Sequence, residues 1–128
     1  MTGAIHTIRV LVADDHRIVR DGLSLLLEAE RDLEVVAAAA TGREAVDLCR
    51  AHEPDVAVLD LAMPELNGVE ATRRIHAELN GVRVVVLSMH GSAEHVHRAL
   101  AAGALGYVLK HAAGAELVRA VRRAAAGQ

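Results

Sequence analysis

Ile8-Arg9-Val10-Leu11-Val12-Ala13-Asp14-Asp15 is the stretch on which the fold turns. A mostly branched apolar run continues without the alternation of a half-wet strand, and two carboxylates end it. Such a run suits a strand buried on both faces, as in a parallel sheet covered by helices. The pattern returns at residues 34–39, 55–59, 82–87 and 106–109, each rich in Val, Leu or Ala.

Segments of helical length lie between these runs. Ile18, Gly22, Leu25 and Leu26 share a face, with Val19 and Leu23 beside them. Thr41-Gly42-Arg43-Glu44 reads as a capping box, with Thr41 as N-cap and Glu44 three residues on. Ala45, Val46 and Cys49 then form one stripe, and Pro54 bars continuation. Asn67-Gly68-Val69-Glu70 offers a second box before Ala71, Ile75 and Leu79. Ser92 caps a fourth helix in which Val96 and Leu100 pack, and Gly103 ends it. Leu117, Val118 and Val121 mark the last, which frays into residues 124–127.

Five strands and five helices in strict alternation predict an α/β fold with helices on both faces of one parallel sheet. The flavodoxin-like, doubly wound order 2-1-3-4-5 is the expectation, although alternation alone barely separates it from other doubly wound orders. The 128 residues fit a single domain, 1–128, with a core from about 7 to 125 and no output domain beside it.

Composition narrows the function. With no Phe or Trp, Tyr107 is the one ring available for base stacking, and the net charge of −3 gives no basic surface for nucleic acid. Only residues 119–123 are locally basic. A lone cysteine, Cys49, cannot form an internal disulfide and reads as a small core residue in a reducing compartment. No leader pattern and no apolar run of membrane-spanning length is seen, so a cytoplasmic protein without a membrane partner is expected. Eight histidines are scattered without zinc spacing and read as solvent-facing or as neighbours of a site. His16 is the one that adjoins the acidic pair.

Function shows in where the polar residues fall. Strand 1 ends in Asp14-Asp15, strand 3 in Asp60, strand 4 in Ser88 and strand 5 in Lys110. Each alone has a bland reading: a turn aspartate, a loop serine, a solvated lysine. Together they place polar groups at one end of the sheet, where open α/β sheets bind ligands. If strands 1 and 3 are neighbours, Asp14, Asp15 and Asp60 converge. Carboxylates so crowded stay ionised beside a cation, and hard oxygen donors favour Mg²⁺.

At this point the chain resembles a known family. Asp14-Asp15-His16, the run from Asp60-Leu61-Ala62-Met63-Pro64 to Asn67-Gly68, Ser88, and Gly106-Tyr107-Val108-Leu109-Lys110 are similar to the motifs of receiver domains of two-component response regulators. The stretch from Asp15 to Leu23 looks most like the subfamily that carries a C-terminal helix-turn-helix DNA-binding domain. The resemblance implies that Asp60 accepts a phosphoryl group from a sensor histidine kinase. It further implies that Asp15, Asp60 and the Ala62 carbonyl hold Mg²⁺, with Asp14 acting through a metal-bound water. Lys110 and Ser88 would contact phosphoryl oxygens, and Ser88 and Tyr107 would carry the switch. Dimerisation or docking would then control a transcriptional output domain, DNA being contacted only through that domain. The domain is thus expected to be a signalling module, not an enzyme, with Mg²⁺-assisted self-phosphorylation and self-dephosphorylation.

Two departures are visible. Ser88 stands where many receivers have Thr, keeping the hydroxyl without the methyl. His111 follows Lys110 where many have a cis proline, so an ordinary trans bond is expected. Ala62 and His90 flank the expected pocket. The alternative reading is a stand-alone phosphorelay or protein-docking module. A flavin protein fits poorly, because Asp14-Asp15-His16 would repel a phosphate that no metal screens.

Overall fold

The computed structural model describes residues 7–112 and 114–128. Its elements run β1 (Ile8–Ala13), α1 (Arg17–Glu28), β2 (Leu33–Ala39), α2 (Gly42–His52), β3 (Val56–Asp60), α3 (Gly68–Glu78), β4 (Arg83–Ser88), α4 (Ala93–Ala101), β5 (Gly106–Leu109) and α5 (Ala115–Ala125). One 3-10 turn, Lys110–Ala112, which the sequence did not signal, follows β5. All strand pairs are parallel, in the order β2-β1-β3-β4-β5. This is the expected fold. β3 and β4 each end one residue later than the apolar pattern suggested, so Asp60 and Ser88 are held by the sheet itself.

Strand alternation sorts the core into two layers. Val10, Val12, Val56, Val58, Val85 and Leu87 face α1 and α5, packing on Leu23, Leu27, Leu117 and Val121. Leu11, Ala13, Ala57, Leu59, Val84 and Val86 face α2, α3 and α4, packing on Val46, Cys49, Ile75 and Ala99. Period-two geometry sends successive side chains to opposite faces, and both faces are covered, so no polar alternation survives. Cys49 is fully buried, and loss of hydration pushes its thiol up to about 12, which leaves it inert.

Two helix faces differ from expectation. On α1 the buried residues are Leu23 and Leu27, while Ile18 is 88% and Leu25 74% exposed. The inward stripe is Arg20, Leu23, Ser24 and Leu27, so two polar residues sit on the core-facing side and an apolar stripe faces out. On α4, Ala99 is buried and Leu100 is exposed, with Val96 half-buried. The small Ala99 lets α4 sit close to the sheet, leaving Leu100 one residue off the contact line.

The caps follow the sequence. Thr41 Oγ1 accepts from the Glu44 N–H at 3.0 Å, and the Glu44 side chain reaches back to the N–H of Ala40. Asn67 Oδ1 accepts from the Glu70 N–H at 3.0 Å, but Glu70 turns to Arg73, so only half of that box forms. Ser92 caps α4 through the His95 N–H, and Gly103 leaves it at φ +115°. No cis peptide occurs among the described residues.

Candidate functional site

Register sets the site before any side chain does. Ala13 pairs with Leu59, so Asp14, just past β1, comes beside Asp60, the last residue of β3, which still pairs with Leu87. Ser88 pairs with Leu109, which brings Lys110 to the same edge. Lys110 Nζ lies 2.9 Å from Asp14 Oδ2 and 3.1 Å from Asp60 Oδ2. Both carboxylates are buried and the lysine is nearly so.

Two carboxylates share one ammonium, and the electrostatics follow from that count. Burial raises the Asp60 carboxyl above its ordinary range, the Asp14 charge raises it further, and Lys110 and the Ala62 N–H pull back without winning. Burial works against the Lys110 ammonium, but the two carboxylates outweigh it and hold its pKa above the ordinary lysine value. Lys110 therefore stays charged. Asp14 Oδ2 is buried, and among the described residues the Lys110 ammonium, 2.9 Å away and shared with Asp60, is its one partner.

Asp15 lies further out, with its carboxylate 3.2 Å from His16 Nδ1. Asp14, Asp15 and His16 offer donor atoms all within 4.8 Å of one another. The buried Asp14 carboxylate, the half-exposed one of Asp15 and a third at Asp60 offer hard, anionic donors that one shared lysine does not neutralise. That set fits a divalent cation of the Mg²⁺ type.

The cavity above Asp60 has a volume of about 330 Å³ and is lined by Leu61, Ala62, Ser88, Met89, His90, His95, His16 and Lys110. Ser88 is buried, and its Oγ accepts from the His90 N–H at 3.0 Å, leaving its proton free to donate into the cavity. His90 and His95 stack at 4.9 Å between ring centroids across the mouth. The Tyr107 ring packs against the α2–α4 core layer, and its hydroxyl donates to the His90 carbonyl at 2.6 Å. Ser88 and Tyr107 thus hold successive parts of one loop.

Gly68 explains the glycine that follows Asp60 at a distance of eight residues. A Cβ there would lie 2.5 Å from the Asp60 carbonyl oxygen, so only glycine lets the start of α3 reach the end of β3. The Gly68 N–H closes that turn on Leu61 O at 2.8 Å.

The structure therefore brings Asp14, Asp60, Lys110, Ser88 and Ala62 to one edge, with Asp15 on the outer side of the same loop. Two residues were missed. Arg20 donates from Nη1 to the Asp14 carbonyl at 2.9 Å. Gly42 lies under the loop after β3, where a Cβ would overlap the Leu66 carbonyl. The sequence marked neither: the apolar stripe of α1 is the outward one, which hides the inward position of Arg20, and nothing singles out Gly42.

Comparison with known proteins agrees with this architecture. A family model described as Response regulator receiver domain matches residues 10–122. Transcriptional regulatory protein LiaR of Bacillus subtilis (strain 168) is 42% identical over 121 residues, which are 94% of this chain and 57% of LiaR. The chain thus spans little more than half the length of that relative. A two-component response regulator of the LuxR family from Aurantimonas sp. SI85-9A1 superposes with a TM-score of 0.91 at 41% identity, covering 95% of this chain and 87% of that one. The CheX-CheY-BeF3-Mg complex from Borrelia burgdorferi gives 0.84 at 26% identity, over 91% of this chain and 87% of that one. With the expected sheet order, the strand-end residues in place and a family match across nearly its whole length, the chain belongs to the response regulator receiver domains.

Proposed function

We propose that this domain is a phosphorylation switch in which Asp60 accepts a phosphoryl group from a phosphohistidine on a sensor histidine kinase. The observation that carries the reading is the lysine-bridged pair: Asp60 and Asp14 share Lys110 at the rim of a cavity walled by Ser88. Asp60 Oδ attacks phosphorus, the P–N bond breaks, and the imidazole leaves with the electron pair and takes up a proton. Phosphoryl transfer needs positioning and charge neutralisation more than it needs a base. Lys110, already charged, supplies one positive centre beside the equatorial oxygens, and the Ser88 hydroxyl donates to another. Asp14, Asp15, Asp60 and the Ala62 carbonyl would hold Mg²⁺, which when bound supplies a Lewis acid for the phosphoryl oxygens. The Borrelia burgdorferi relative forms a complex with BeF3 and Mg, and that supports the donor set. The acyl phosphate is open to attack by water on phosphorus, which returns Asp60 and releases phosphate.

The new charge is read out locally. Ser88 and Tyr107 both hold the loop of Met89 and His90, so drawing Ser88 toward a phosphoryl group strains the Tyr107 bond and re-forms the face of α4, β5 and α5. That face would control dimerisation or docking. The donor must dock beside the cavity mouth, and the outward stripe of α1, Ile18, Gly22 and Leu25, lies next to His16 there. LiaR is named for transcriptional regulation, which favours an output domain in the parent protein and action in the cytoplasm. Among the described residues no helix is long and apolar enough to cross a membrane.

Incubation with acetyl phosphate and Mg²⁺, followed by intact mass measurement, tests the reading. One addition of about 80 Da, the mass of one phosphoryl group, is expected. It should be absent in Asp60→Asn and nearly so in EDTA. Equal labelling of Asp60→Asn would overturn the assignment.

A further inference from the structure

Arg20 lies on the stripe of α1 that faces the sheet, beside Leu23 and Leu27, where an apolar residue would be expected. It is half-buried, and among the described residues its guanidinium has no carboxylate within ion-pair distance. Its Nη1 donates instead to the backbone carbonyl of Asp14 at 2.9 Å. That carbonyl belongs to the peptide joining Asp14 to Asp15, so the bond fixes the plane of the link between the two acids.

The loop has few other restraints. The Asp14 N–H is held by the Ala39 carbonyl at 3.0 Å, and Asp14 Oδ1 accepts from the His16 N–H at 2.9 Å. The first restrains Asp14, and the second closes a turn around the Asp14–Asp15 peptide. Past it, His16, the N-cap of α1, makes no side-chain cap bond, and the first turn carries no acid. Among the described residues, Arg20 is the one side chain from outside this loop that bonds to the Asp14–Asp15 peptide.

We infer that Arg20 is a positioning residue for cation binding: it orients the Asp14–Asp15 peptide so that Asp15 points toward the donor set of Asp14 and Asp60. This rests on the reading that the acidic loop holds a divalent cation, and it assigns the preorganisation of that loop to one side chain of α1. Charge and geometry here have opposite signs. A guanidinium near a cation site repels the cation, so removing it should tighten binding if charge alone mattered. If Arg20 positions the loop, removing it should weaken binding, because residues behind the ligands commonly govern affinity through orientation.

The test is Mn²⁺ binding to the domain, followed by the loss of the free-ion EPR signal, for wild type, Arg20→Met and Arg20→Lys, with thermal unfolding of each metal-free protein in parallel. Met keeps the stem and removes donor and charge; Lys keeps a donor and the charge. The expected result is a dissociation constant raised roughly tenfold in Arg20→Met. Lys should recover most of the loss, and the Met variant should remain folded at the temperature of measurement. Tighter or unchanged binding in Arg20→Met, with wild type binding normally, would overturn the role of Arg20 and leave the cation site standing. Failure of wild type itself to bind would overturn both.

Discussion

Asp60 and Asp14 compete for Lys110, and that competition makes the resting site a place of stored repulsion. Asp60→Asn leaves Asp14 and Lys110 as a balanced pair and removes the carboxylate that burial and Asp14 disfavour. Without metal, this variant should be more stable than wild type by about 1 kcal/mol, the low end for relieving buried charge. Lys110→Met does the reverse, leaving two buried carboxylates unpaired, and should cost about 3 kcal/mol. Urea unfolding in EDTA measures both; a less stable Asp60→Asn would show that the ammonium satisfies both acids. The strand-end acids, serine and lysine were legible because each follows directly on an apolar run. Arg20 was not, because its role comes from a contact with a backbone carbonyl, which no residue type announces.

At the scale of elements, the strands were readable and the helix faces less so. Both sheet faces are covered, so every strand carries a continuous apolar run that stands out. On α1 the core-facing stripe includes Arg20 and Ser24, while Ile18 and Leu25 lie outside; hydrophobicity alone selects the wrong stripe. The double substitution of Ile18 and Leu25 by Ser should therefore change stability by less than about 0.5 kcal/mol. It should also slow transfer from the kinase while leaving labelling by acetyl phosphate unchanged. A stability loss of several kcal/mol would mean that this stripe is packed. Gly42 supplies a second element-scale test. Alanine within a helix normally gains about 1 kcal/mol over glycine. Here its Cβ would collide with the Leu66 carbonyl, and overpacking costs about 1–3 kcal/mol. Gly42→Ala should be net destabilising in thermal melts and should slow labelling, since the loop it displaces begins just after Asp60. A stabilised variant would show that this loop yields freely.

Across the whole molecule, α5 is tied to the turn between α1 and β2 by Arg122, which lies 2.8 Å from both Glu30 and Asp32. The hydrogen bond from Arg122 holds the Asp32 carboxyl below its ordinary 3.8. A lowered carboxyl contributes stability above pH 3.8 and loses it as pH falls through the lower folded value. Asp32→Asn should thus melt below wild type at neutral pH and converge with it at the acid end. The gap is that of an exposed pair, under about 1 kcal/mol. A constant gap across pH would remove the ion pair as its cause.

The same global geometry brings four strand ends to one edge, where the phosphoryl group should land on Asp60. Borohydride reduces an aspartyl phosphate to homoserine, which peptide sequencing locates. After treatment with acetyl phosphate and Mg²⁺, homoserine should appear at position 60. Homoserine at position 14 or 15, or phosphate found on a histidine with position 60 unchanged, would rule out Asp60 as the acceptor.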